Sequence, residues 1–131
     1  MKRIVISGSA KLQKDYKKFV NYFKDKYDVV DYPVPIEGDF EKNYSNVHKE
    51  FYKCISKADT LLLLNMDKGN TKGFIGPSGF GELCIAIYLT IVENKDMDIY
   101  IYQLPDKTVN GYDEIMLWIK LGFIKVFDKI V

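Results

Sequence analysis

Length, composition and charge already narrow the class of protein. The chain has 131 residues, which predicts one domain over residues 1–131, since domains usually hold about 100 to 200 residues. Hydrophobic residues make up 47% and charged residues 28%, a mixture that excludes an intrinsically disordered chain. Nineteen Lys and Arg against eighteen Asp and Glu leave a net charge of +1. The chain therefore lacks the positive excess that is typical of nucleic-acid binding.

Cysteine usage and hydropathy indicate a reduced, cytoplasmic protein with no membrane segment. Two Cys and one His cannot complete a Cys/His zinc site, and Cys54 and Cys84 do not form the pattern of a disulfide framework. The basic start Met1–Arg3 precedes too few apolar residues for a secretion signal. The longest apolar run, Leu83–Val92, is about half the ~20 residues needed to span a bilayer.

In chain order, short β-branched or leucine-rich runs alternate with segments of helical periodicity, which predicts βαβ units. The predicted strands cover residues 3–7, 28–32, 60–65, 98–104 and 123–126. The predicted helices have apolar faces over residues 12–27, 47–58, 79–94 and 112–119. Ser45 or Asn43 is the expected N-cap of the second helix. The leucine run of the third strand does not alternate, which is typical of a central strand covered on both faces.

This order of elements predicts an α/β fold, a flavodoxin-like or Rossmann-like three-layer sandwich with a five-stranded parallel sheet. Ligands of such sheets bind beyond the carboxyl ends of the strands, where the strand order switches. If strands 1 and 3 flank that switch, the loops 7–11 and 66–78 face each other across the crevice. Both loops are rich in Gly and Ser.

Several familiar sites are absent from the sequence. The chain has neither a GxxxxGK[ST] phosphate loop nor a GxGxxG turn after strand 1. The segment Gly76–Phe80 approaches the nucleophile elbow GxSxG, but Phe80 stands where the last glycine belongs. A nucleoside triphosphatase, an ordinary dinucleotide-binding enzyme and a serine hydrolase are therefore not supported.

Glu82 follows a glycine-rich segment at the predicted start of the third helix. Free N–H groups around Gly76 and Ser78 are suited to hold an anionic part of a ligand. A purely structural interpretation of Glu82 is a first-turn carboxylate stabilised by the helix dipole, or a capping-box residue if Gly79 is the N-cap. In the functional interpretation the carboxylate lies at the floor of a pocket. There it can attack a glycosidic carbon such as ribose C1′, which requires no cofactor and no metal.

The stretch Ala58–Asn65, the glycine-rich loop and Glu82–Ala86 together resemble the nucleoside 2-deoxyribosyltransferase superfamily. The resemblance covers roughly residues 3–102 and implies that Glu82 is the nucleophile. The spacing of His48 to Asp59 is similar to that in the 2′-deoxynucleoside 5′-phosphate N-hydrolases. The resemblance further implies that Asp59 lies near the nucleobase or organises the site. It also implies that the sugar or a 5′-phosphate is bound by Ser7, Gly8, Ser9 and Ser78.

Most of these residues also have a structural interpretation. Asp59 is of a type common where a helix turns into a strand, and Ser9 is a candidate cap of the first helix. His48 fits a surface position on its helix, and Cys84 fits a small core residue. Among the tyrosines, Tyr32 at the end of strand 2 is best placed to stack on a base.

Departures from the superfamily pattern bear on the type of reaction. The transferases carry an aspartate six residues before the nucleophile, where this chain has Gly76, and the usual aspartate of helix 2 is here Phe51. Residues 127–131 also do not resemble the Asn-containing tail with which transferase subunits complete a neighbour's site. The sequence therefore favours hydrolysis of a nucleoside or nucleoside 5′-monophosphate over base transfer. The alternatives are a non-catalytic nucleotide-binding or sensing domain and, less favoured, a flavin-binding protein.

The third helix is apolar in nearly every direction, although one apolar face suffices for packing against a sheet. A second surface is therefore expected to cover it. In so small a chain this pattern predicts a homodimer or higher homo-oligomer whose interface includes helix 3.

Overall fold

The computed structural model describes residues 1–127. Its strands and helices alternate along the chain as the sequence predicts. The strands are β1 (Lys2–Ser7), β2 (Tyr27–Asp31), β3 (Thr60–Leu63), β4 (Asp98–Ile101) and β5 (Lys125–Val126). The helices are α1 (Gln13–Phe23), α2 (Phe40–Lys57), α3 (Pro77–Ile91) and α4 (Tyr112–Lys120).

The five strands form one parallel sheet in the order β2-β1-β3-β4-β5. The predicted α/β fold is confirmed: the chain is a flavodoxin-like three-layer sandwich. The strand order reverses between β1 and β3, and their register pairs Ser7 with Leu63. These two strands therefore end side by side, which confirms the predicted switch point and places the loops after them on either side of one crevice.

Each face of the sheet is covered by its own apolar core. On one face α2, α3 and α4 pack over Leu61 and Leu63, whereas on the other face α1 packs over Leu62 and Leu64. All four leucines are at most 2% exposed. Burial on both faces explains why the leucine run shows no polar alternation, as expected for a central parallel strand.

The first two helices differ from their predicted bounds. The helix α1 ends at Phe23, because residues 24–26 turn and Tyr27 already pairs with Lys2 in the sheet. The helix α2 begins at Phe40, and its N-cap is Asp39, whose side chain accepts a hydrogen bond from the Lys42 N–H at 3.0 Å. The prediction of Ser45 or Asn43 as this cap is wrong.

The helix α3 begins at Pro77, two residues before the predicted start near Gly79. Its N-cap is Gly76, and no side chain caps the helix. Proline is favoured in the first turn because its missing N–H would have no partner there. The earlier start places Glu82 as the sixth residue of α3, beyond the first turn.

Several hydrogen bonds join the loop between β3 and α3 to the loop after β4, and the buried Asn65 side chain makes four of them. The Asn65 amide donates to the carbonyl oxygens of Gly73 at 3.2 Å and Gln103 at 2.8 Å, and its oxygen accepts from the N–H groups of Tyr102 and Gln103. These bonds hold the chain segment that leads into α3.

Within residues 1–127, no helix is both long and apolar enough to cross a membrane.

Candidate active site

Glu82 lies at the switch point, beside the carboxyl end of β1. Its side chain is buried, with 6% of the residue exposed. The hydroxyl of Ser7, the last residue of β1, donates a hydrogen bond to Glu82 Oε1, and Ser7 is itself fully buried. Residues 75 positions apart in the chain thus meet because α3 returns across the end of β1.

The start of α3 decides between the two interpretations of Glu82. The first turn of α3 contains no acidic residue, so the interpretation as a first-turn carboxylate is wrong. The capping-box interpretation is wrong as well, because the N-cap is Gly76 rather than Gly79. Since the dipole effect falls off within the first turn, the start of the helix does not account for a buried glutamate at this position.

Burial raises the pKa of the Glu82 carboxyl above its ordinary value, because a charge is poorly solvated there. Two neighbours act in the opposite direction: the hydrogen bond from Ser7 and the electrostatic attraction of His48 both lower this pKa. Burial thus destabilises the charged form of the carboxyl group, whereas Ser7 and His48 stabilise it. A strongly buried carboxyl with a perturbed pKa is a candidate for a functional residue.

His48 and Tyr52 of α2 interact electrostatically with this carboxylate. Because α2 leads into β3, its N-terminal half lies at the carboxyl edge of the sheet. The face of α2 that buries Phe51 and Ile55 continues two turns earlier into Tyr44 and His48. The rings of Tyr44 and His48 are stacked with centroids 3.9 Å apart. The negative charge of Glu82 also contributes to the raised pKa of Tyr52, after burial.

The His48 ring has a defined orientation. Its Nδ1 lies 3.0 Å from the carbonyl oxygen of Tyr44, and a carbonyl oxygen only accepts hydrogen bonds. We therefore assign the proton of the neutral ring to Nδ1. Nε2 is then the ring nitrogen that can exchange a proton with a ligand.

Tyr16 of α1 stabilises the loop after β1 through a hydrogen bond. Its ring is fully buried, and its hydroxyl donates to the carbonyl oxygen of Ser9 at 2.7 Å. Burial, followed by the charge of Glu82, raises the pKa of the Tyr16 hydroxyl well above its ordinary value. Gly8 has a φ of +146°, and a Cβ there would lie 2.9 Å from the Tyr16 hydroxyl and 3.1 Å from the Leu64 carbonyl oxygen. Glycine is therefore required at this position, and the loop approaches the ends of both strands closely.

The other predicted ligand-binding residues differ in their exposure and in their contacts. Ser9 is exposed, and its hydroxyl accepts a hydrogen bond from the Lys11 N–H at 3.2 Å. The N-cap of α1 is Leu12, so the interpretation of Ser9 as that cap is wrong. Ser78 is exposed in the first turn of α3, next to Gly76. Tyr32 stacks on Tyr16 with ring centroids 5.2 Å apart, which connects it to the site through that ring.

Asp59 lies at the opposite edge of the sheet. It immediately precedes β3, its N–H donates to the Arg3 carbonyl oxygen, and its carboxylate accepts from the Arg3 N–H at 2.8 Å. The hydrogen bond from Arg3 is the main cause of its lowered pKa. Ser7 is four residues further along β1, or about 13 Å at ~3.3 Å per residue. The structure therefore separates Asp59 from Glu82 and gives it a role at the start of the sheet.

Two residues whose pKa the charge of Glu82 raises, Tyr16 and Tyr52, are not among the residues that the sequence predicts for the site. A signal existed for Tyr52, because it lies four residues after His48 on the same helix and must share its face. For Tyr16 the signal is weaker: a buried tyrosine hydroxyl needs a partner, but the sequence does not say which one.

Across residues 1–127, no three His, Cys, Asp or Glu side chains form a group that could hold a metal ion. Comparison with known proteins adds no relative: no family model, curated protein or solved structure matches this chain.

Proposed function

We propose that this protein cleaves the N-glycosidic bond of a nucleoside or nucleoside 5′-monophosphate. The observation that carries the proposal is the buried Glu82 carboxylate at the switch point, hydrogen-bonded to Ser7 and attracted to His48. Burying a carboxylate costs free energy, and its place in α3 gives it no capping role that would offset this cost. Such a cost is typical of a group that is retained for chemistry.

The chemistry requires few groups. The Glu82 carboxylate attacks C1′ of the sugar while the bond from C1′ to the base nitrogen breaks, and the electron pair of that bond leaves with the base. Water then attacks C1′ of the glycosyl ester and gives one proton back to the group that protonated the base, which releases the free sugar and restores the carboxylate. The resemblance to the nucleoside 2-deoxyribosyltransferase superfamily supports this assignment of Glu82.

His48 is the candidate proton donor to the departing base. Its Nδ1–H is assigned to the Tyr44 carbonyl oxygen, so in the doubly protonated ring the proton on Nε2 is the one available for transfer. A base leaves more readily when its nitrogen is protonated as the bond breaks. The electrostatic effect of His48 on the pKa of Glu82 supports the assignment of both groups to one site.

Two grooves offer surfaces that suit a flat base with polar edges, and the lining residues of neither include Glu82. One groove contains Tyr44, which is 42% exposed and stacked on His48. The other combines apolar, amide and acidic side chains; its lining includes Gln13, Val34, Ile36, Glu37 and Asn46. Apolar surfaces with a few polar groups are typical of small-molecule sites.

Two carboxylates of the transferases have no counterpart in this chain, because Gly76 and Phe51 occupy their positions. A Cβ at Gly76 would approach its nearest atom no closer than 3.6 Å, so the fold itself does not exclude a side chain there. We therefore place hydrolysis ahead of base transfer. The same absence favours, as a second candidate, a nucleotide-binding or sensing domain that does not turn over its ligand.

The proposal predicts that the wild-type protein releases free base from at least one member of a panel of nucleosides, their 5′-monophosphates and NAD. Replacing Glu82 with Gln removes the nucleophile and is expected to lower the rate by roughly 10⁴-fold or more. Chromatography of the free base measures this, with and without a second base as acceptor. Glu93→Gln, at an exposed position beyond the C-terminal end of α3, is the matched control and should keep full activity.

Three results separate the candidates. Base exchange would establish the transferase, and release that survives in Glu82→Gln would contradict the nucleophile. If folded wild-type protein binds a nucleotide in calorimetry but releases no base, the sensing domain replaces the hydrolase.

We also propose that the outer face of α3 joins two copies of this chain. Tyr88, Ile91 and Val92 are each more than half exposed, and Cys84 beside them is exposed too. The interpretation of Cys84 as a core residue is therefore wrong for the single chain. In a two-fold dimer the same apolar face meets itself, and so both copies are covered.

The dimer predicts a sedimentation mass of about twice the 15.2 kDa of the chain at micromolar concentration. Replacing both Tyr88 and Ile91 with Lys places charges in the interface and is expected to yield monomers. A wild-type protein that sediments only as a monomer at this concentration would contradict the proposal.

A further inference from the structure

The contact between Ser7 and Glu82 joins a rigid group to a flexible one. Ser7 is held by the sheet: its carbonyl oxygen accepts from the Leu64 N–H at 2.8 Å, and β1 pairs with β3 up to this residue. Glu82 has a long side chain with several rotatable bonds, and ordering such a chain costs conformational entropy. The hydroxyl at the end of β1 is thus a fixed point against which the carboxylate is oriented.

The other polar groups near the carboxylate do not take over this role. The Tyr16 hydroxyl donates to the Ser9 carbonyl oxygen, so its one proton is already used. His48 and Tyr52 of α2 interact with Glu82 through charge. Among the described residues, Ser7 is the one for which the structure shows a hydrogen bond to Glu82, and this bond is made to Oε1.

We infer that Ser7 is a positioning residue that holds Oε1 of Glu82, so that the carboxylate keeps one orientation and presents Oε2 to the ligand. The inference rests on the proposed function only where it concerns catalysis, in which Oε2 would form the bond to C1′. The orientation and the ionisation of Glu82 depend on Ser7 whether or not the protein turns over a substrate.

The resemblance to the superfamily implies a different role for Ser7, namely binding of the sugar or phosphate. A hydroxyl that donates to Glu82 has no second proton for the ligand. Ser7 then acts on the substrate through Glu82, whereas exposed Ser9 and Ser78 remain free to contact it.

The first test is a pH titration of the Glu82 carboxyl in the whole protein. The signal of the side-chain carboxyl carbon in ¹³C NMR reports its ionisation. A hydrogen bond to the charged form lowers a carboxyl pKa, so Ser7→Ala is expected to raise the pKa of Glu82. Ser7→Cys keeps nearly the same volume with a weak donor and is expected to shift it in the same direction. Exposed Ser9→Ala is the control and should leave the titration unchanged.

An unchanged Glu82 titration in both Ser7 variants would overturn the inference. If Ser7→Ala does not fold, Ser7→Cys carries the test, because it leaves no cavity. The result does not depend on activity, so an inactive wild-type protein would contradict the proposed function and leave this inference standing or falling on the titration.

Where base release is found, kinetics give the second readout. Hydrogen bonds to charged groups contribute about 1.5 to 3 kcal/mol, so Ser7→Ala is expected to lower kcat roughly 10- to 100-fold with KM little changed. The acidic limb of its pH–rate profile should move to higher pH, and Ser7→Thr, which keeps the hydroxyl, should restore both. A raised KM with unchanged kcat and pH profile would instead place Ser7 in direct contact with the substrate.

Discussion

Replacing Glu82 with Gln is expected to make the folded protein more stable at neutral pH, although it removes the proposed nucleophile. Glutamine has nearly the same shape and can still accept the hydrogen bond from Ser7 through its amide oxygen. It carries no charge, so the cost of burying a carboxylate, which the raised pKa of Glu82 reports, disappears. Gains of this kind at functional positions are commonly about 0.5 to 2 kcal/mol.

The pH dependence follows from the sign of the pKa shift. The unfolded carboxyl titrates near its ordinary value of 4.5, and the folded one titrates at a higher pH. Between the two values the unfolded state has lost the proton that the folded state keeps, so wild-type stability falls as pH rises through this window. Below the window both states are protonated, and the wild type no longer has this disadvantage relative to Glu82→Gln.

Urea unfolding of both proteins at about pH 4 and about pH 7.5 measures the effect. The stability gained by Glu82→Gln should be larger at the higher pH, while Glu93→Gln, at an exposed site, should show no such difference. A variant that is less stable than wild type at both pH values would identify Glu82 as a structural residue. It would also remove the physical argument for its selection as a catalyst.

The sequence predicts the elements of this fold better than it predicts the contacts between them. Hydrophobic periodicity identifies the alternation of strands and helices, and the unbroken leucine run identifies β3 as central. The bond between Ser7 and Glu82 spans 75 positions and depends on which strands are neighbours. Periodicity contains no information on that order.

Asp59 shows that some of the site could have been decided from chain order alone. In an all-parallel sheet, a residue directly before a strand lies at the amino edge, and a residue that follows the strand lies at the carboxyl edge. Asp59 precedes β3 and Glu82 follows it, so the two cannot share a site at the end of the sheet. The resemblance implies instead that Asp59 and Glu82 belong to one site, so the separation by chain order was not used.

The start of α3 could also have been predicted from the sequence. Pro77 is suited to the first turn of a helix, because its fixed φ fits the helix and its nitrogen needs no partner. The prediction instead favoured the serine and glycine that follow it. The difference of two residues between the predicted and observed starts changes the interpretation of Glu82. A carboxylate in the first turn is stabilised by the helix dipole, whereas one in the next turn is not.

Replacing Asn65 with Ala is expected to destabilise the protein by about 2 to 4 kcal/mol, because buried hydrogen-bonding groups lose their partners. Asn65 is 2% exposed and donates two hydrogen bonds while accepting two more. Its removal leaves the Gln103 N–H and the carbonyl oxygen of Gly73 without this partner, whereas the Tyr102 N–H keeps its hydrogen bond to the Leu63 carbonyl oxygen at 3.0 Å. The loss occurs where the loop into α3 is fastened, so it also loosens the start of the helix that carries Glu82.

Urea unfolding of Asn65→Ala measures the loss, and Asn70→Ala is the matched control in the same loop because Asn70 is exposed. Asn65→Asp separates the two halves of the network. It keeps the accepting oxygen for Tyr102 and Gln103 but loses the donor to Gly73, and it adds a buried charge. We expect Asn65→Asp to be at least as unstable as Asn65→Ala at neutral pH and to recover partly in acid, where a protonated carboxyl can donate again. Equal stability of Asn65→Ala and wild type would show that the loop is held by its other contacts, such as the bond from the Gly73 N–H to Asp67.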